Sequence, residues 1–581
     1  MSLRIVRRPQ ATFGLSGRLH PVLQRVYSAR GVRSEAELDQ SLVRLLPVGT
    51  LEGIPAAAEL LCTHRLGRVL VVGDFDADGA TSCALVVRAL RGCGFAHVDF
   101  LVPNRFEFGY GLTPEIVALA ATRSPSLIVT VDNGISSHAG VAAARARGID
   151  VLITDHHLPA ASLPDANVIV NPNLAGSRFA SRCLAGVGVA FYVMAALRRT
   201  LERAGLTNPS MPGVAELLDL VALGTVADVV PLDANNRVLV AQGLRRIRAG
   251  RCVPGIRALL ALAERSSTDL TAADLAFGVA PRLNAAGRID DMTIGVRCLL
   301  ADEEAGAHAL AVRLDELNEE RRSIEARMQQ EALAAVRQLE GSVTGATVQR
   351  SGVCLFHESW HQGVVGLVAS RVKERVRCPV IAFAAADAAS LRGSARSIAG
   401  IHIRDVLDSI ATLHPGLIHR FGGHAMAAGL TLERARLDEF ARAFDAEVAR
   451  WLPGAGARDA VETDGELSVE EIALPTAEAL RAGGPWGQAF PEPSFDGLFS
   501  VRSARVIGDR HLKMWVELPR SGRSFDAIAF NQLADGAPFT PPEGDMQLVY
   551  RLEVNEYQGE RRLQLLIDHL LPVTALPAAA R

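Results

Sequence analysis

Aspartates and histidines in this chain stand just after apolar runs, where they could hold metal ions. The residues concerned are Asp74, Asp76, Asp78, Asp132, Asp155, His156, His157 and Asp228. The preceding apolar runs cover residues 69–72, 127–131, 151–154 and 217–226. Crowded carboxylates repel one another unless a cation neutralises them, and a pair of divalent ions is the usual solution. The pattern therefore predicts a metal-dependent hydrolase.

The mixture of carboxylates and imidazoles favours particular metals. Such ligands suit Mn²⁺ or Co²⁺ better than Mg²⁺, which prefers oxygen. Two ions about 3.5–4 Å apart can bind a scissile phosphate, acidify a water and hold the leaving oxygen. Asp132 could bridge the pair from the tip of its loop. We expect two Mn²⁺ ions, with Mg²⁺ or Co²⁺ as alternatives.

An α/β sheet is expected to position these residues. Short β-branched runs followed by glycine and helix-like segments are typical of parallel strands. Strands are predicted at 69–72, 98–100, 127–131, 151–153 and 168–170, with helices near 80–92, 114–122 and 138–147. The ligand crevice of such a sheet lies beyond the carboxyl ends of its strands, so the acidic residues should share one edge. Asp228 should join them from a helical segment.

The 581 residues should divide into about three or four domains. We expect a helical lead-in at 1–48, a catalytic α/β domain at 49–301, a long helix at 302–341, a smaller α/β domain at 342–452 and a five-stranded, OB-like β-barrel at 458–570. The long helix could be a strut between two domains or an ordinary amphipathic helix packed along one domain.

Composition excludes several classes of protein. There is no apolar run of about 18 residues, so we do not expect a membrane span. We expect a cytoplasmic location. The eight cysteines form no C-x-x-C pair, which argues against a zinc site or a disulfide framework. With a net charge of −3, the chain would bind a polyanion only through a local positive channel.

Three short motifs carry a family resemblance: V-V-G-D-F-D-A-D-G-A-T at 71–81, V-D-N-G at 131–134 and T-D-H-H at 154–157. They resemble the DHH phosphoesterase superfamily. Segments 103–112, 222–228, 282–288 and 422–429 further resemble its single-strand-specific 5′→3′ exonucleases. The resemblance implies that the metal ligands are Asp76, Asp78, Asp132, His156 and Asp228. It implies that Asp74, Asp155 and His157 support them.

Substrate-binding groups follow from the resemblance and from residue type. The candidates are Arg105, Tyr110, Arg282, Asn284, Ser394, Arg396, Gly422, Gly423 and His424. By resemblance, Arg105, Arg282 and Ser394 would recognise a terminal 5′ phosphate and the backbone. Residues 342–452 resemble the DHHA1 domain, which in this family faces the metal site across a cleft. Tyr110 could stack on bases, whereas Trp515, Phe525 and Phe530 fit a barrel core better than a DNA platform.

The expected function is processive 5′→3′ degradation of single-stranded DNA to 5′-mononucleotides. The resemblance further implies work in DNA repair and recombination beside a helicase and a single-strand-binding protein. A monomer is expected, although no residue fixes the oligomeric state. A small-substrate phosphoesterase is the alternative enzyme, and a replication scaffold without metals is the non-catalytic alternative.

Overall fold

The computed structural model describes residues 4–9, 15, 19–104, 106–207, 211, 213–341, 350–451, 460–508, 510–519, 521–532, 542, 544–557 and 559–573. These residues form two compact units. The first contains 1–283, 292–312 and 459–581, and the second contains 284–291 and 313–458. Arg105 lies outside the described residues.

A five-stranded parallel sheet forms the centre of the first unit. In spatial order its strands are His97–Leu101, Arg68–Gly73, Leu127–Val131, Asp150–Thr154 and Val168–Val170. All four pairings are parallel. Leu127–Val131 is buried along its whole length, which explains why its sequence is apolar except for Thr130. The predicted sheet is confirmed, with every strand end within one residue of its predicted position.

The first unit also contains helices, several of which pack on this sheet. Those that begin in the first unit are Pro21–Ala29, Ile54–Thr63, Ala77–Gly92, Pro114–Ala121, His138–Arg145, Gly186–Arg203, Leu218–Ala227, Ala234–Arg248, Pro254–Leu262, Ala272–Asp274, Ala280–Ile289 and Thr293–Leu300, with a π-helix at Leu275–Val279. The apolar stretch before Asp228 is therefore a helix, and Asp228 is its C-cap. Among the described residues no single helix is long and apolar enough to cross a membrane. Only the bent pair Leu42–Thr50 and Ile54–Thr63 reaches that length and apolarity, and only when its two halves are taken together.

The N-terminal segment contains the helix Pro21–Ala29, and it also contains a strand that the sequence does not predict. Arg4–Arg7 is a strand that pairs in parallel with Ala460–Thr463. Arg30 supports the same junction, because its Nη1 lies 2.7 Å from Oδ1 of Asp464 and both side chains are buried. No local pattern could reveal this strand, since its partner lies more than 450 residues further along the chain.

The C-terminal region of the first unit is a closed β-barrel. Its strands are Phe495–Ile507, His511–Glu517, Ser524–Ala529, Gly544–Tyr557 and Glu560–Pro572. The last of them closes the barrel between the third and the fourth. The helix Leu474–Ala482 packs against the strand Gly544–Tyr557. The predicted five-stranded OB-like barrel is confirmed.

The second unit holds a mixed sheet and most of the long helix. In spatial order the strands are Arg420–Gly423, Ala427–Glu433, Ser390–Arg396, Val380–Ala385 and Val353–Phe356. The other helices are Val365–Val376, Ile403–Leu413 and Leu437–Trp451. The long helix, Glu304–Gly341, is continuous and links the two units. Met328, Ala332 and Val336 on this helix pack in the core of the second unit, so it also packs along a domain.

Candidate metal centre

Three adjacent strands of the parallel sheet each end immediately before an aspartate. Asp74, Asp132 and Asp155 follow Arg68–Gly73, Leu127–Val131 and Asp150–Thr154. Because neighbouring parallel strands point the same way, these aspartates share one edge of the sheet. This edge is where the sequence places the candidate site.

A tight turn gathers the aspartates that follow the first of these strands. Asp76 is the N-cap of the helix Ala77–Gly92, and its Oδ1 accepts a hydrogen bond from the Gly79 N–H at 3.0 Å. A Cβ on Gly79 would lie 2.4 Å from the carbonyl oxygen of Asp74. Only glycine therefore allows the helix to begin so close to the end of the strand.

Asp78 is buried and held by the start of another helix. Its Oδ2 accepts from the Gly186 N–H at 2.6 Å, and its Oδ1 accepts from the Val187 N–H at 2.9 Å. These donors are among the free N–H groups at the beginning of the helix Gly186–Arg203, where negative charge is favoured. The two bonds fix the carboxylate in one orientation.

Asp132 lies at the centre of the cluster. Its backbone has a left-handed φ of 61°, and its N–H donates to the Thr154 carbonyl at 3.0 Å. Its Oδ1 lies 3.1 Å from Nε2 of His156, which is 3.5 Å from Oδ2 of Asp228. These two carboxylate oxygens are buried, and within the described residues neither accepts a hydrogen bond. Buried acceptors that converge on an imidazole nitrogen without hydrogen bonds fit a cation-binding site.

Asp155 orients the two histidines beside it. Its fully buried carboxylate accepts hydrogen bonds from the N–H groups of Ile135 and His156, and its Oδ1 lies 2.8 Å from Nδ1 of His157. Two asparagines hold the same turn, since Asn171 and Asn173 donate to the carbonyls of His157 and His156. Sequence reasoning missed both, although they follow the strand Val168–Val170 as N-P-N.

Three sets of side chains bring ligand atoms within 4.8 Å of one another. They are Asp74, Asp76 and Asp132; Asp78, His156 and Asp228; and Asp132, His156 and His157. All five ligands that the sequence suggested are included, and Asp74 and His157 join them as further candidates. Asp132 and His156 each belong to two of the sets, and of these two the carboxylate, with its two oxygens, would suit contact with two ions.

The electrostatics of the cluster favour a bound cation. Burial, and then the charge of Asp76, raises the pKa of Asp78 to about 7. Burial and the charge of Asp78 raise the pKa of Asp132 and that of Asp228 well above their ordinary value. A divalent ion would remove the repulsion that raises these pKa values.

His157 behaves differently from the carboxylates around it. Burial lowers its pKa, but the hydrogen bond and the charge of Asp155 outweigh burial and raise the pKa to about 9. Burial likewise opposes ionisation of Asp155, and its contacts with His157 reverse that effect and lower its pKa. Each residue therefore favours the charged form of the other.

Two of the proposed substrate-binding residues, Tyr110 and Arg282, lie in the first unit. The Tyr110 hydroxyl is 3.2 Å from Nδ1 of His157 and 3.4 Å from the Asp132 carbonyl oxygen, and half of its residue surface is exposed. Arg282 donates to the carbonyls of Gly278 and Leu262. Tyr110 thus borders the metal centre, whereas Arg282 is anchored to its own helical region.

The remaining proposed residues belong to the second unit. Asn284 lies on the helix Ala280–Ile289, and His424 donates its N–H to the Ala427 carbonyl at 2.8 Å. Ser394 and Arg396 share a strand, and Nη1 of Arg396 donates to Oγ of Ser394 at 2.9 Å. Gly422 pairs with Gly429, and Gly429 pairs with Ser394, so the glycine strand and the Ser394 strand flank the same neighbour.

A helix start borders the Ser394 and Arg396 side chains. A Cβ on Gly366, at the start of the helix Val365–Val376, would lie 2.7 Å from Nη2 of Arg396 and 2.9 Å from Oγ of Ser394. The hydroxyl and guanidinium groups therefore stand against a helix N-terminus, an arrangement that suits an anion. The sequence indicated these groups separately, and the structure brings them together.

Comparison with known proteins places these features in a family. Residues 68–225 match the N-terminal domain of the DHH family, 342–450 match the DHHA1 domain and 463–569 match the RecJ OB domain. A relative from Dickeya dadantii strain 3937, the single-stranded-DNA-specific exonuclease RecJ, is 54% identical over 98% of this chain and 99% of its own length. The chain belongs to the RecJ family. Its DHH, DHHA1 and OB-barrel architecture is that of RecJ.

Solved RecJ structures share the fold. RecJ from Thermus thermophilus in complex with Mn²⁺ has a TM-score of 0.78 and 31% identity, covering 96% of this chain and 76% of that one. The same protein in complex with Mg²⁺ has a TM-score of 0.72 and 29% identity, covering 96% of this chain and 75% of that one. The fold of this chain is therefore one in which relatives bind divalent metals.

Proposed function

We propose that this RecJ is a divalent-metal-dependent exonuclease that degrades single-stranded DNA from the 5′ end to 5′-mononucleotides. The observation that carries the proposal is the convergence of Asp132 Oδ1, His156 Nε2 and Asp228 Oδ2 at one edge of the sheet, in a chain 54% identical to a single-stranded-DNA-specific exonuclease. Buried acceptors without donors are costly unless a cation occupies the space between them.

The catalytic set is Asp74, Asp76, Asp78, Asp132, His156, His157 and Asp228. We assign the metal ions to Asp76, Asp78, Asp132, His156 and Asp228, with Asp74 and His157 within reach. When bound there, two divalent ions would polarise the scissile phosphate and acidify a water. We favour Mn²⁺ because imidazole takes part in the site. The Mg²⁺ and Mn²⁺ complexes of the Thermus relative support a divalent ion in general.

The chain's own residues would position the substrate around this centre. Asp155 holds the ring of His157 in one orientation through Nδ1, which leaves Nε2, beside the Tyr110 hydroxyl, to face a phosphate oxygen. The Tyr110 hydroxyl beside it adds a second donor. Ser394 and Arg396, with the helix start at Gly366, offer a phosphate site in the second unit. The family resemblance assigns substrate binding to six further residues, Arg105, Arg282, Asn284, Gly422, Gly423 and His424.

The barrel supports a polymeric substrate. Trp515 and Phe530 are exposed at 54% and 48%, so the expectation that they form the barrel core is wrong; Phe525 is buried as expected. The strand alternates, and Leu512, Met514 and Val516 fill the core instead. Trp515 pairs across the sheet with Ser503, and Lys513 with Arg505, which puts an indole and two cations on one outer face, where Lys513 is ion-paired with Asp526 at 2.7 Å. Aromatic and basic side chains together suit the bases and phosphates of a single strand.

Further assignments belong to the same proposal. We assign the protein to DNA repair and recombination in the cytoplasm, as a monomer that works beside a helicase and a single-strand-binding protein. We also retain the domain limits 1–48, 49–301, 302–341, 342–452 and 458–570. The family matches at 68–225, 342–450 and 463–569 lie within these limits and support them.

The decisive experiment compares end-labelled single strands. Strands labelled at the 5′ or the 3′ end, of DNA or RNA and of increasing length, are incubated with Mn²⁺, Mg²⁺ or a chelator. We expect early release of the 5′ label as a mononucleotide from DNA of any length, and no release with the chelator. Activity that fades beyond a few nucleotides would indicate a small-substrate phosphoesterase. A protein that takes up no Mn²⁺ in calorimetry and cleaves nothing would be a scaffold.

A further inference from the structure

A π-helical turn in the first unit presents a phenylalanine to solvent. The turn Leu275–Val279 lies between the helices Ala272–Asp274 and Ala280–Ile289. Leu275 and Val279 are fully buried, whereas Phe277 is 78% exposed. A π-turn is a rare helical geometry that is frequently found at functional sites. Here it buries both ends of the turn while it leaves the aromatic ring uncovered.

The turn lies beside elements of the proposed active site. It packs against the helix Leu218–Ala227, whose C-cap is Asp228 of the metal centre. The carbonyl of Gly278, the residue after Phe277, accepts a hydrogen bond from Nη1 of Arg282. Phe277 is thus adjacent to the anchor of an arginine that we assign to phosphate recognition.

A second arginine lies along the same turn. Cγ of Arg265 is 3.3 Å from the position that a Cβ on Gly278 would take, so the Arg265 side chain passes over this glycine. Half of that side chain is exposed, and its Nε lies 3.6 Å from Oδ1 of Asp274. An uncovered aromatic ring whose neighbour Gly278 is contacted by two arginine side chains combines the two elements that hold single-stranded nucleic acid, a stacking surface and positive charge.

We propose that Phe277 stacks on a base of the single-stranded substrate and positions the strand at the metal centre. The inference rests on the proposed nuclease function and adds a base contact outside the barrel. The ring makes little contact with the fold, so its surface becomes useful when a base covers it. Because every base has a flat apolar face, this contact would hold the strand without selecting its sequence.

The effect of removing the ring should appear in substrate binding. Base–aromatic stacking contributes about 1–3 kcal/mol per base, so Phe277→Ala should raise KM for a single strand by roughly 5- to 150-fold. The kcat should change much less, since the metal ligands are untouched. Phe277→Trp should restore KM because it provides a larger stacking surface. Leu66→Ala is the matched control, because Leu66 is an 84% exposed apolar residue just before the strand Arg68–Gly73, at the opposite edge of the sheet.

The test uses 5′-phosphorylated oligonucleotides with one abasic site at successive positions. KM and, with a chelator, Kd are measured for the wild type and the three variants. We expect one position at which an abasic site weakens binding of the strand to the wild type but does not weaken its binding to Phe277→Ala any further. Equal affinities of the wild type and Phe277→Ala, or the same abasic profile for both, would overturn the stacking contact alone.

Other outcomes separate this inference from the proposed function. Strand binding without degradation by the wild type would overturn the nuclease proposal, and the abasic comparison would then be read from Kd. A wild type that neither binds nor degrades a strand would overturn both. Thermal unfolding of Phe277→Ala and Phe277→Trp, expected to match the wild type, shows whether each variant is folded.

Discussion

Gly186 lies where a single methyl group would disturb the metal centre. A Cβ on this residue would stand 2.6 Å from Cβ of Asp132 and 2.7 Å from its Oδ1. Ordinary van der Waals contact begins near 3.4 Å, so overpacking would push the carboxylate by roughly 0.7 Å. Asp132 is only 2% exposed, and it would lose its position 3.1 Å from Nε2 of His156.

We expect Gly186→Ala to impair metal binding and catalysis more than folding. Misplacement of a reacting group by about 1 Å can cost about 100-fold, so kcat should fall by roughly that factor. Mn²⁺ affinity, measured by calorimetry, should fall by about tenfold or more, a loss typical of disturbed metal-site support. Overpacking costs about 1–3 kcal/mol, and alanine in a helix regains up to about 1 kcal/mol. The metal-free variant should therefore lose no more than about 3 kcal/mol of unfolding free energy.

Gly306→Ala provides the control. Gly306 lies in the long helix Glu304–Gly341, and a Cβ there would meet nothing within 4 Å. This variant should bind Mn²⁺ and degrade strands as the wild type does, and its unfolding free energy should rise by up to about 1 kcal/mol. Wild-type Mn²⁺ affinity in Gly186→Ala would refute the claim that this glycine makes room for the Asp132 carboxylate.

Four further outcomes are expected. Asp132→Ala should abolish turnover and leave a folded protein with a wild-type circular dichroism spectrum; retained turnover would remove the two-metal proposal. Arg282→Ala should weaken the use of 5′-phosphorylated ends more than of 5′-hydroxyl ends in steady-state kinetics, and equal losses would argue against terminal-phosphate recognition. Trp515→Ala should lower affinity for long strands by roughly 5- to 150-fold, the range for one stacked base, while the shortest strands are unaffected. The folded pKa of Asp78 is raised from 3.8 to about 7, so its contribution to stability is complete below its unfolded pKa and is lost as pH rises through about 7. For the protein kept metal-free with a chelator, the melting temperature should therefore fall between about pH 4 and pH 7, and saturating Mn²⁺ should make this fall smaller. Identical pH profiles of the melting temperature with chelator and with Mn²⁺ would contradict this.

The parallel sheet was predictable because its information is local. Runs such as Leu127–Val131 are buried on both faces, so the sequence shows each of them as a nearly continuous apolar segment that ends at an acidic residue. Parallel strands then place Asp74, Asp132 and Asp155 on one edge without any knowledge of side-chain contacts. The position of the candidate site followed from these two facts.

Contacts between distant segments could not be predicted in the same way. The strand Arg4–Arg7 forms only because Ala460–Thr463 offers an edge, and the bonds from Gly186 and Val187 to Asp78 join segments more than 100 residues apart. The exposure of Trp515 depends on the strand's register, since a shift by one residue would turn it into the barrel. The roles of Asn171 and Asn173 require the turn to be seen around the histidines.

The pairing of Arg4–Arg7 with Ala460–Thr463 has a consequence for how the protein is made. The second unit, residues 284–291 and 313–458, is inserted in the first, so its whole length leaves the ribosome between the two halves of that small sheet. At about 5–20 residues per second, the N-terminal strand waits roughly 20–90 s for its partner. During synthesis the inserted segment is complete before its following strand appears, so the strand Arg4–Arg7 keeps an unsatisfied edge until Ala460–Thr463 has been made.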